Sequence, residues 1–158
     1  MKHILTIVSC LFLLTATAQD KNFKEFYKSH KKQAEVSLNV PGFIANLFID
    51  TDGDRELKRL LKKGKNYKVL VFDNNFKRVQ KDFKKFIRKN RYKTLVRIKD
   101  GDERVTIHFR KNKNRIREII VNVYSENEDA VLLGLKTNLT QKELNTIISR
   151  SSYRMARN

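Results

Sequence analysis

The chain has 158 residues, with 35 Lys and Arg against 17 Asp and Glu, a net charge of +18, and 40% hydrophobic residues including one Cys and no Trp. That length suits one domain with a core of useful size, and apolar clusters recurring among 33% charged residues exclude a disordered chain or a collagen. The single Cys excludes an intramolecular disulfide and a Cys-based zinc site.

The N-terminus reads as an export signal. Lys2 and His3 precede an apolar run over 4–14, interrupted only by Thr6, Ser9 and Cys10, and Ala16-Thr17-Ala18 then supplies a small-residue cleavage site. The run is shorter than the about 20 residues that span a bilayer. The expectation is a cleaved signal peptide over 1–18, one domain over 19–150 and a frayed tail over 151–158, placed outside the cytoplasm with no transmembrane segment after cleavage. Ile7-Val8-Ser9-Cys10 resembles a lipoprotein acylation box. Acylation at Cys10 would leave Leu11-Phe12-Leu13-Leu14 at the mature terminus, so a lipoprotein is the lesser reading.

In the first half, Asn22 is placed as N-cap, with Glu25 three residues on, for a helix whose Phe23, Phe26, Tyr27 and His30 share one face. A short strand over 35–39 follows. Pro41-Gly42 breaks the chain, and 43–49, apolar apart from Asn46, is read as helix because the only Pro precedes it. Leu57, Leu60 and Leu61 mark a further helical turn closed by Gly64. Val69-Leu70-Val71-Phe72 reads as a strand covered on both faces.

Over 76–87 the apolar residues Phe76, Val79, Phe83, Phe86 and Ile87 form one helical stripe among Lys77, Arg78, Lys81, Lys84, Lys85 and Arg88. The period then changes to two. Tyr92, Thr94, Val96 and Ile98 alternate with Lys93, Leu95, Arg97 and Lys99, and Val105, Ile107 and Phe109 with Arg104, Thr106, His108 and Arg110, across Asp100-Gly101, a hairpin signal. A turn pairing Lys99 with Asp102 would set Arg97 opposite Arg104, on a basic face. Strands over 116–124 and 130–136 follow, and both carry apolar residues on both faces, which predicts interior strands or a face covered by helices or a second subunit. Thr140-Gln141-Lys142-Glu143 is a capping box with Leu139 and Leu144 as the hydrophobic staple. The fold class expected is α+β, a mostly antiparallel sheet with a C-terminal four-stranded meander packed against amphipathic helices.

The basic helix over 76–87, together with the meander around Arg117-Glu118-Ile119-Ile120-Val121 and Leu132-Leu133-Gly134-Leu135, resembles the family called domain of unknown function 4252. The resemblance covers about 23–148. It implies a small bacterial envelope protein of the Bacteroidota with an α+β domain, and it brings no activity or site residues with it. Many members look like lipoproteins, a point from which the position of Cys10 departs.

Candidate chemistry is sparse. Asp50, Asp52 and Asp54 open a calcium-type loop, but its sixth and twelfth positions are Arg55 and Leu61 instead of Gly and Glu, so a polar loop capping the next helix is preferred. His30 reads as a packed core-edge residue and His108 as solvated surface on the basic hairpin face. Neither has an orienting partner in sequence. No catalytic residue, cofactor or metal ligand is expected. The basic excess is the feature that carries a function: Lys77, Lys81, Lys84, Lys85, Arg88, Arg97 and Arg104 are the candidate anion-binding residues. The same abundance of Lys and Asn also fits an A/T-rich genome. The expected function is that of an exported, non-catalytic envelope protein that binds an anionic surface or a protein partner. The alternative is a small extracytoplasmic hydrolase with an unrecognised site. Nucleic acid is not expected, since Phe76, Phe83 and Phe86 sit at core spacing and are not free to stack on bases. A homo-oligomer is left open.

Overall fold

The computed structural model describes residues 21–45, 55–73 and 76–155. The export signal, Cys10, the Asp50–Asp54 loop and residues 46–49 of the expected second helix lie outside the described residues. The chain runs through helix α1 (Phe23–His30), strand β1 (Val36–Pro41), and helices α2 (Gly42–Ala45) and α3 (Arg55–Leu61). Strand β2 (Asn66–Phe72), helix α4 (Phe76–Lys89), strands β3 (Lys93–Asp100), β4 (Glu103–Asn112), β5 (Arg115–Ser125) and β6 (Ala130–Leu139), and helix α5 (Gln141–Met155) complete it. The strands make one antiparallel sheet in the order β1-β2-β6-β5-β4-β3. Strands β3 to β6 are the expected meander, and the α+β class is as read from the sequence. Because β2 pairs with β6, the last strand lies in the interior, which explains its apolar residues on both faces.

Helices α1 and α4 cover one face. Phe23, Phe26 and Tyr27 of α1 and Phe76, Val79, Phe83 and Phe86 of α4 close over Leu70, Phe72, Ile120, Ala130 and Leu132. This is the stripe that the helical period predicts, and it buries the large aromatics that account for most of the apolar gain. The seat of α1 is tight. A Cβ at Gly134 would stand 2.0 Å from the Phe23 ring, so only a glycine lets α1 lie against β6. On the opposite face, Leu60 of α3 and Leu144 of α5 pack on Phe109, Ile116, Ile119 and Leu139.

Several local expectations are corrected. Asn22 stands at the N-cap position of α1, but its side chain makes no cap hydrogen bond, and its Oδ1 is buried without a partner. In contrast, the capping box of α5 forms as read: the Glu143 amide donates to Thr140 Oγ1 (3.2 Å) and the Thr140 amide to Glu143 Oε2 (2.8 Å). The tail expected to fray from Ser151 continues as helix to Met155, since neither Pro nor Gly interrupts it. The strand Val69–Phe72 is buried on one face only: Leu70 and Phe72 are buried, Val69 and Val71 half-buried. Helix α4 ends on a Schellman arrangement in which Arg91 takes φ 59°, with the Tyr92 amide bonded to the Ile87 carbonyl and the Arg91 amide to that of Arg88.

Candidate anion-binding surface

The amphipathic pattern of α4 fixes its outward side. With Phe76, Val79, Phe83 and Phe86 buried, Lys77, Lys81, Lys84, Lys85 and Arg88 are all exposed, and together with Gln80 they surround a shallow depression of about 360 Å³. Lys77 is drawn to one side. Its Nζ lies 3.0 Å from Glu128 Oε1, and the hydrogen bond to that carboxylate holds its ammonium above the ordinary lysine range. Lys84 donates to Gln80 Oε1 at 3.3 Å.

The hairpin register differs from the expected one. Asp100 pairs with Glu103, Lys99 with Arg104 and Arg97 with Thr106, so Arg97 and Arg104 are not opposite one another. The loop is Gly101-Asp102, with Gly101 at φ 54°, the position where a two-residue hairpin of the II′ kind requires glycine. The shift is two residues in register, so residues 96–99 and 104–109 keep their faces, whereas the bulge between Thr94 and Val96 turns Thr94, expected beside Val96 on the apolar side, to the face of His108. Arg104 turns toward Glu126, at 3.9 Å. Arg97 instead joins Lys84 across a groove of about 370 Å³ between α4 and the sheet, lined also by Gln80, Thr106, His108 and Asn122. Of the seven candidate residues, the structure therefore gathers five on α4 and brings Arg97 to them through Lys84, while Arg104 stands apart.

His108 is buried, not solvated, because Phe83 of α4 packs edge-on against its ring at 6.0 Å. Burial and then the Arg97 charge push its imidazole below the usual histidine value, which leaves it neutral at pH 7. A bulge between Thr94 and Val96 sets His108 opposite Thr94, whose hydroxyl lies 3.3 Å from Nδ1.

His30 is buried as expected, stacked on Phe26 at 4.0 Å. Ser29 Oγ lies 3.1 Å from its Nδ1 and Asp82 Oδ2 lies 3.6 Å from its Nε2, a Ser, His and Asp in line. The hydrogen bonds do not suit nucleophile activation. The Phe26 carbonyl, 3.0 Å from Nδ1, accepts a hydrogen bond from that nitrogen's N–H, and Ser29 Oγ donates to the Glu25 and Phe26 carbonyls. A nitrogen that donates to a carbonyl cannot also receive the serine proton. Among the described residues, no group of three His, Cys, Asp or Glu side chains is placed to hold a metal ion.

Two constellations escaped the sequence reading. The first is a buried polar triad: Glu118 Oε2 accepts from the Tyr92 hydroxyl (2.6 Å) and from Arg110 Nη2 (2.7 Å), with Arg110 also over the Tyr92 ring. Burial, and next the Glu118 charge, push the Tyr92 phenol well above its ordinary value. The second is a lysine cluster at the other side of α1. Lys24 and Lys28 of α1, Lys68 of β2 and Lys136 of β6 converge, and burial followed by the charges of Lys24, Lys136 and Lys28 lowers the Lys68 pKa. Lys68 donates to Asn39 Oδ1 and lies over the Tyr27 ring. The positions are far apart in sequence, and only the pairing of β2 with β6 brings them together.

Among the described residues, no helix is long and apolar enough to cross a membrane. Neither a curated protein nor a solved structure matches the chain. The family model described as Domain of unknown function (DUF4252) matches residues 23–147, most of the chain and all but the last turns of the fold described above, and the chain belongs to that family.

Proposed function

We propose that this protein is an exported, non-catalytic component of the cell envelope that holds to an anionic surface through the outward side of α4 and the adjoining Arg97. The observation that carries this reading is the lack of compensation there. Among the described residues, Lys81, Lys84, Lys85, Arg88 and Arg97 have no carboxylate within 4 Å, whereas Lys77 and Arg104 each have one. Five unpaired cations over one side produce a field that raises the local concentration of anionic partners. The reading also draws on the signal-like N-terminus and on the export that it implies. Its test is co-sedimentation with vesicles of anionic and of neutral lipid. Binding should be confined to the anionic vesicles and should weaken steeply as salt shortens the Debye length from about 30 Å at 0.01 M to about 10 Å at 0.1 M. Replacing Lys77, Lys81, Lys84, Lys85 and Arg88 with Gln should remove most of it and leave the fold intact. A wild-type protein that ignores anionic vesicles at low salt overturns the reading.

A further inference from the structure

The lysine cluster stands on other elements than the surface just described, and it encloses space. Lys24, Lys68 and Lys136, with Asn39, Asn66 and Glu118, line a pocket of about 120 Å³. Pockets for whole drug-sized ligands begin at about 300 Å³, so this one fits a single charged group. Its cations come from a helix and two strands, and Lys28 adds a fourth charge nearby. Among the described residues, Lys24, Lys28 and Lys136 make no ion pair within 4 Å. Four like charges held together, where the carboxylate that lines the pocket is already bound to Arg110, cost free energy that a bound anion would recover. The pocket's cations are all lysines, whose ammonium groups act on phosphate as point charges. Glu118 refines the choice. Its Oε2 is occupied by Tyr92 and Arg110, and Glu118 is among the residues that line the pocket. A carboxylate there repels sulfate but accepts the proton of a phosphate that carries one.

We propose that the pocket between α1, β2 and β6 is a phosphate site, taking a phosphoryl group through Lys24, Lys68 and Lys136 with Glu118 as the acceptor of its proton. The group is either free inorganic phosphate or the end group of a phosphomonoester on a larger envelope molecule. The second source has room to extend, since Lys24 and Lys136 also border an open depression along α1.

The test is calorimetric titration of the protein at low ionic strength and about pH 6, where a phosphomonoester carries its last proton about half the time. The ligands are inorganic phosphate, glycerol 1-phosphate, and sulfate at matched ionic strength, with phosphatidic acid vesicles as a fourth arm. Saturable binding of phosphate or glycerol 1-phosphate, weakened about tenfold or more in Lys24→Gln/Lys136→Gln and retained in the α4 five-Gln variant, is expected. Inorganic phosphate binding at least as tightly as the ester identifies the free ion. Tighter binding of the ester and of the vesicles through the same two lysines identifies an end group. Phosphate should raise the thermal midpoint of the wild type and of the α4 variant but not that of the double variant. The Lys68 ammonium, followed by NMR, should titrate at higher pH when phosphate is bound. The proposal falls if neither phosphate ligand binds, if sulfate binds equally well, or if the α4 variant loses phosphate binding as fully as the double variant. Failure in the first two ways leaves the α4 surface reading untouched.

Discussion

The two faces of the sheet draw on different residues. Under α1 and α4 each row changes character as it crosses the strands: Leu70 and Leu132 continue into Asn122, Thr106 and Arg97, and Gly134 and Ile120 into His108 and Thr94. On the opposite face, Val36, Val71, Val131, Val123, Val105 and Ile98 form one unbroken aliphatic row, and Leu38, Val69, Leu133, Val121, Ile107 and Val96 form a second. None of those twelve is fully buried, and Leu38 is 49% exposed. Apolar strands therefore do not by themselves mark where the core lies. On the helix-covered face, the aromatics of α1 and α4 provide much of the apolar surface, which frees β3 and β4 to carry charge. On the other face the two central rows are aliphatic throughout, while Leu60 and Leu144 cover only the end around Ile116 and Leu139.

Substitutions can break this contrast, beginning with the covered face. Phe83→Ala should cost about 3–5 kcal/mol, read from the denaturation midpoint, because the ring is buried between Phe26 and His108. Lys84→Ala, one residue on, should stay within about 0.5 kcal/mol. Gly134→Ala should cost about 1–3 kcal/mol, since the new methyl meets the Phe23 ring and α1 must move outward. In a Phe23→Ala background, itself less stable because a buried ring is lost, Gly134→Ala should cost little more, a non-additivity that a simple loss of strand flexibility would not give.

A smaller effect belongs to the other face, where α5 is anchored. The hydrogen bond from Lys63, then that from the Thr140 amide, hold the Glu143 carboxyl down at about 2, from an ordinary value of 4.5. A depressed carboxylate stabilises the fold above its unfolded value, and the contribution is lost as pH falls from about 4.5 toward 2. Acid titration of stability should therefore show a loss in that window, and Glu143→Gln should flatten it. The smallest change is expected on the open rows. Val131→Thr keeps the strand propensity at a position 37% exposed and should shift stability by no more than about 0.5 kcal/mol. A loss of several kcal/mol there would show that the face is covered in solution.

Alternation and helical period made the elements and most of their inward sides legible, because both depend on neighbours a few residues apart. The stripe of α4, the capping box at Thr140 and the two sides of the hairpin are all of this kind. The hairpin register was not, because Asp100-Gly101 and Gly101-Asp102 are both plausible loops and only the backbone geometry at Gly101 separates them. His108 was misplaced for a related reason: alternation puts it on the basic face correctly but says nothing of Phe83 arriving above it. The lysine cluster and the Glu118 triad depend on strand order, for which the sequence carries no local signal.

That strand order also has a consequence for how the chain reaches its native state. Each neighbour in the β3 to β6 meander is joined by a short turn, so these pairings close small loops and should form early. Strand β2 has no such partner on its inner side until β6 exists, and α1 has no seat until Gly134 is in place. The N-terminal part of the domain, though made first, is expected to be completed last. Pulse-labelled hydrogen exchange during refolding should show the amides of β4 and β5 protected before those of β2.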